Sequence, residues 1–128
     1  MAYVLLVEDN TPIRLLLTEF LETLGYRGEG ASDGAQALER MRQDRPDAVV
    51  LDLQMPVLDG WSLLRTCRET PELADVPAVV MSAMHDACTT VAALGVRRCL
   101  SKPFDLDQLA AALEDLGLEA RASAPRCK

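Results

Sequence analysis

The chain has 128 residues, of which 49% are hydrophobic and 26% charged, with a formal net charge of −7. That is one ordinary domain, long enough to bury a core without disulfide or metal staples. The acidic balance disfavours a surface of clustered Lys and Arg, so neither nucleic acid nor an anionic membrane is an expected partner. No apolar run approaches the ~18 residues that span a bilayer, and the N-terminus lacks a basic stretch followed by a long apolar one. A cytoplasmic location is expected. The four cysteines are Cys67, Cys88, Cys99 and Cys127, with no Cys-x-x-Cys spacing, and His85 is the single histidine. A zinc site is therefore disfavoured and free thiols are expected.

Short apolar runs alternate with helix-period segments five times along the chain. Tyr3 to Val7 is apolar at every position, as in a strand covered on both faces. Thr11-Pro12 reads as an N-cap and a first-turn proline. Ile13, Leu16, Leu17, Phe20, Leu21 and Leu24 then follow at helical spacing, and Gly25 stops the helix. A weak strand is predicted over Tyr26 to Ala31. Asp33 and Gln36 have capping-box spacing and open a helix to about Arg42. Asp47 to Leu51 is the third strand, and Asp59-Gly60 opens a helix to about Glu69. Pro77 to Ser82 is the fourth strand, and Asp86 to Leu94 a short helix ended by Gly95. Arg97 to Ser101 is a less apolar fifth strand. Asp105 caps a last helix with Leu106, Leu109, Ala110, Leu113 and Leu116 on its inner face. Residues 1–118 read as the domain and 119–128 as a short polar tail, too short to fold as a further domain, which takes ~40 residues or more.

Strand–helix repeated in this way predicts an α/β fold: a doubly wound, five-stranded parallel sheet with helices on both faces. Its flavodoxin-like strand order would be 2-1-3-4-5. Ligands in such folds sit beyond the carboxyl ends of the strands, so the residues just after each strand carry the information. Glu8 and Asp9 follow the first strand, Asp52 the third, Ser82 the fourth, and Lys102 with Pro103 the fifth. Three carboxylates held close repel one another unless a cation joins them. An all-oxygen donor set selects a hard ion, and Mg²⁺ is the expected one. A lysine and a hydroxyl added to that set suit a phosphoryl group, with Asp52 as nucleophile forming an acyl phosphate.

Taken singly, each residue has a plainer reading. Asp52 would be a turn cap, and Glu8 or Asp9 a cap for the helix entering at Thr11. Ser82 would be a strand-end hydroxyl, and Lys102 a surface lysine. Taken together, the stretches VEDN, VVLDLQMPVLDG, VVMSA and CLSKPF, in this order and spacing, resemble those of a response-regulator receiver domain, the phospho-acceptor half of two-component signalling. The resemblance covers Ala2 to about Leu116. It implies that Asp52 is phosphorylated, and that Glu8, Asp9, Asp52 and the Gln54 backbone carbonyl hold Mg²⁺. Ser82 would be the switch hydroxyl, with Ala83 contacting phosphate through its amide, and Lys102 would pair with a phosphoryl oxygen. It further implies a cis Lys102-Pro103 bond, and a sensor histidine kinase or histidine phosphotransfer protein as phosphodonor. The output would be a protein or domain in trans, controlled through the face formed by the fourth helix, fifth strand and fifth helix.

The chain departs from the family in three places. Cys99 stands where an aromatic switch residue is usual. The segment from Ser82 to Lys102 is about two residues short. Gln54 and Met84 occupy the positions that tune phosphoryl lifetime. Two other classes compete with the switch: a pseudo-receiver that binds partners without phosphorylation, and an aspartyl phosphatase. The latter needs a second Asp two residues after the nucleophile, where this chain has Gln54, which cannot act as a general acid. A flavodoxin-like cofactor binder is disfavoured because Glu8 and Asp9 would repel the cofactor phosphate.

Overall fold

Apolar runs without alternation belong in strands covered on both faces, and the chain uses them so. The computed structural model describes residues 2–52, 60–82, 96, 98–101 and 105–116. Within them, strands β1 (Tyr3–Val7), β2 (Arg27–Ala31), β3 (Ala48–Asp52), β4 (Ala78–Ser82) and β5 (Arg98–Ser101) pair in parallel in the order β2-β1-β3-β4-β5. The expected sheet and strand order are both present. The described helices are α1 (Thr11–Thr23), α2 (Gly34–Gln43), α3 (Gly60–Glu69) and a last helix, Leu106–Glu114. No described helix is long and apolar enough to cross a membrane. The expected helix over Asp86–Leu94 lies outside the described residues, as do Gln54, Ala83, Met84, His85, Lys102, Pro103 and the tail.

Alternate residues of each strand feed two apolar layers. Leu5, Val7, Val49, Leu51, Ala78 and Val80 pack with Ala37 and Met41 of α2 and with Leu63, Leu64 and Cys67 of α3. Val4, Leu6, Ala48, Val50, Val79 and Met81 pack with Leu17 and Leu21 of α1 and with Leu109, Ala112 and Leu113 of the last helix. Cys67 is a free thiol, and its burial pushes the pKa up to about 11. Cys99 is disulfide-bonded, which corrects the expectation of free thiols at that position. Spacing alone does not reveal which cysteines pair.

Several boundaries differ from the sequence reading, each for a local reason. The cap of α1 is Asn10, not Thr11: its side chain accepts the Ile13 N–H at 3.0 Å, and the proline falls within the first turn. Only Leu17 and Leu21 of the predicted apolar stripe are fully buried, and Ile13 and Leu16 are exposed, because the helix meets the sheet along a narrower line than its sequence offers. Asp33 caps α2 through the Gln36 N–H at 2.8 Å, but the Gln36 side chain reaches Ser32 N at 2.8 Å rather than closing a box. The last helix does have a full capping box between Asp105 and Gln108. It buries Ala112 where Ala110 was expected. β2 is one of the two edge strands, and α1 lies close upon it: a Cβ on Gly28 would meet the Thr18 carbonyl oxygen at 3.1 Å and Leu21 Cβ at 3.3 Å.

Candidate functional site

In this strand order the chain leaves β1 for β2 on one side and then crosses to β3 on the other. Between β1 and β3 the connections diverge, leaving a crevice beyond their carboxyl ends. Val7 pairs with Leu51, so Glu8 and Asp52 come level as the two strands finish. Both continue the alternation of Leu6 and Val50, and so leave the sheet toward the α1 layer. Asp9 follows one residue later. Carboxylate oxygens of Glu8, Asp9 and Asp52 lie within 4.8 Å of one another. Glu8 (2% exposed) and Asp52 (5%) are buried, and Asp9 faces solvent.

The turn that presents these acids is densely hydrogen-bonded. Glu8 N–H donates to the Ala31 carbonyl on β2 at 3.0 Å. Its carboxylate accepts from the Asn10 N–H at 3.1 Å. The Arg14 guanidinium donates to the Glu8 carbonyl at 2.9 Å and to Thr11 Oγ1 at 3.3 Å. Asn10 and Arg14 were not singled out from sequence. A cap residue next to the acids was the only available signal for the first, and a contact from α1 back to a strand-end carbonyl leaves none for the second.

Ser82 ends β4 fully buried. Asp52 pairs with Met81, so Ser82 stands one residue beyond the level of Asp52 on the neighbouring strand. Ser82 in turn pairs with Ser101, the residue before Lys102. The register thus orders four of the predicted residues on one rim. Lys102 itself, Ala83 and the Gln54 carbonyl lie outside the described residues. Cys99 is half-buried and packs against the α2–α3 layer.

A divalent cation fits this donor set. Two buried carboxylates within 4.8 Å repel by roughly 3 kcal/mol at an effective dielectric near 20. A hard ion bound by oxygen turns that cost into attraction. Neither thiolate nor imidazole belongs to the described cluster, which points away from softer metals.

Residues 4–114 match the family model described as the response regulator receiver domain. The chain belongs to that family. Response regulator MprA of Mycobacterium leprae is 41% identical over 115 residues, which are 88% of this chain and 50% of the relative. The chain thus spans about half the length of the curated relatives it matches. Among solved structures, chemotaxis protein CheY4 of Vibrio cholerae superposes with a TM-score of 0.84 at 29% identity, covering 91% of this chain and 98% of that one. The receiver domain of sensor histidine kinase PA1611 from Pseudomonas aeruginosa gives 0.81 at 32% identity, with coverage of 91% and 98%. That structure has a magnesium ion coordinated in its active-site cleft. This receiver domain is therefore a signalling module of two-component systems, as its strand-end motifs implied.

Proposed function

We propose that the chain is a phospho-acceptor switch whose acceptor is Asp52, with residues 1–118 as the receiver and 119–128 as a tail. The observation that carries this is the close approach of the Glu8, Asp9 and Asp52 carboxylates, two of them buried, at the rim where the sheet leaves a crevice. In the proposed reaction an Asp52 oxygen attacks the phosphorus of a phosphohistidine on a histidine kinase or phosphotransfer protein. A P–O bond forms as the P–N bond breaks, and the imidazole leaves with the electron pair and takes up a proton. Glu8, Asp9, Asp52 and the Gln54 carbonyl would hold Mg²⁺, which supplies charge neutralisation at the phosphoryl oxygens when bound. Ser82 and the Ala83 amide would donate hydrogen bonds to the transferred group, and Lys102 would pair with one of its oxygens. Water later removes the group, so the chain acts as a timed regulator rather than a turnover enzyme.

A protein phosphodonor is supported by the surface beside the site. The large apolar side chains exposed among the described residues are Ile13, Leu15 and Leu16, all on the first turns of α1. Apolar groups on a helix next to a reactive rim suit a partner helix. The output is read as a protein or domain in trans acting through the β5 side of the sheet. Cys99, paired and half-buried at the position of the usual aromatic, supports a second reading, a pseudo-receiver that binds partners without this switch.

Intact-mass measurement after incubation with acetyl phosphate and MgCl₂ tests the first reading. One added phosphoryl group on the wild type, absent from Asp52→Asn and after chelation, is expected. No increase on the wild type, or an equal increase on Asp52→Asn, defeats the acceptor assignment.

A further inference from the structure

We infer that Arg14 is a positioning residue for the acid cluster, held in place by the missing side chain of Gly30. The inference rests on the metal-site reading above. The peptide plane joining Glu8 to Asp9 contains the Glu8 carbonyl. Its orientation sets ψ of Glu8 and φ of Asp9, and those two dihedrals aim the Asp9 carboxylate. That carbonyl lies just beyond the last residue of β1, Val7. Arg14 supplies a donor at 2.9 Å, while the Glu8 N–H is fixed to Ala31 at 3.0 Å. Glu8 is thus pinned through both of its backbone polar groups, once to β2 and once to α1.

The arginine reaches the carbonyl only because its stem lies flat on the edge strand. A Cβ built on Gly30 would stand 2.9 Å from both Cγ and Cδ of Arg14, inside any real carbon contact. The second prong, to Thr11 Oγ1 at 3.3 Å, ties the same guanidinium to the first turn of α1. The α1 backbone shares the load, since Arg14 N–H donates to the Asn10 carbonyl at 2.8 Å. A planar fork with donors at fixed angles suits this two-point grip, and a single ammonium does not.

The sign of the effect separates positioning from bare charge. A guanidinium near a cation site weakens cation binding by repulsion, so a charge-only role predicts tighter Mg²⁺ binding when the arginine is removed. A positioning role predicts the reverse, of the size usual when the support behind a metal ligand is lost, about tenfold or more. The experiment is calorimetric titration of the full chain with MgCl₂ alone, beside thermal melts without metal. Arg14→Met is expected to raise the Mg²⁺ Kd at least about tenfold, with Arg14→Lys between it and the wild type. Gly30→Ala leaves the arginine intact but displaces its stem, and is expected to raise the Kd by a smaller factor. This second variant keeps the test alive if Arg14→Met does not fold. Binding by Arg14→Met that is equal to or tighter than wild type, or by Gly30→Ala that is unchanged, overturns the positioning role and leaves the metal site standing. Wild-type protein that takes up no Mg²⁺ overturns both.

Discussion

Strand β3 carries a buried acid at each end, and the two are treated in opposite ways. Asp47, just before the strand, is 2% exposed, and Asp52, its last residue, is 5% exposed. Asp47 is clasped to β1: its carboxylate accepts the Tyr3 N–H at 2.8 Å, and its own N–H donates to the Tyr3 carbonyl at 2.7 Å. The Tyr3 side chain is held in turn. Arg27 lies 4.1 Å over the Tyr3 ring and pairs with Asp44 and Glu29, and Arg40 also pairs with Glu29. Asp52 instead shares a 4.8 Å space with two further carboxylates. Residue type, strand and burial are nearly constant across this pair. What distinguishes a structural acid from a chemical one is the company it keeps.

The largest expected effect is all or none. Asp52→Asn should abolish phosphoryl incorporation by intact mass, whereas Asp47→Ala should retain it. In the metal-free protein Asp52→Asn should also melt higher than wild type, because a repelling charge is gone. Saturation with Mg²⁺ comes next. At a hundred times its Kd the ion should stabilise wild type and Asp47→Ala alike by about 2.7 kcal/mol, and Asp52→Asn by well under half of that, read from chemical denaturation. Equal stabilisation of Asp52→Asn would erase the contrast between the two ends.

Alkali probes the molecule away from the acid cluster. Burial raises the pKa of Tyr3 above 10.0 and that of Cys67 from 9.0 to about 11. Both groups are neutral when folded. The stability they contribute is therefore complete below the unfolded value and is lost as pH rises through the folded one. Between pH 9 and about 11 the Cys67 share is roughly 2–3 kcal/mol. Denaturation series should show this fall in wild type and unchanged in Asp52→Asn, flattened by Cys67→Ala between pH 9 and about 11 and by Tyr3→Phe above pH 10. Asp47→Ala leaves the buried Tyr3 N–H without its acceptor and should cost about 1–3 kcal/mol. Arg27→Ala is the mildest change, because the pairs it makes are close to half exposed. A loss below about 1 kcal/mol, shrinking with added salt, is expected.

The strand ends were legible because a parallel sheet sends its functional groups to one rim, and the acids there stand out against apolar runs. The two layers were legible in outline for the same reason. The cap of α1 was misplaced by one residue because Asn10 and Thr11 are both good caps, and only the backbone decides between them. The apolar stripe of α1 is wider in sequence than the face it buries, since Ile13 and Leu16 face outward. Periodicity gives the direction of a helix face but not its width. The roles of Asp47 and Arg14 were not legible at all. Each rests on a backbone group of another element, and side-chain spacing carries no trace of such a partner.

Gly28 has a practical consequence for anyone redesigning this protein. Edge strands are commonly improved by swapping glycine for valine or threonine, which prefer the pleated surface. Here the neighbouring helix lies so close that an added Cβ would stand 3.1 Å from its Thr18 carbonyl oxygen. A bulkier residue would wedge α1 away from the sheet beside Thr18 and Leu21, level with Val4 of β1. A thermostabilising programme should therefore leave this edge glycine as it is, and leave the exposed leucines of the adjoining helix to the partner that they suit.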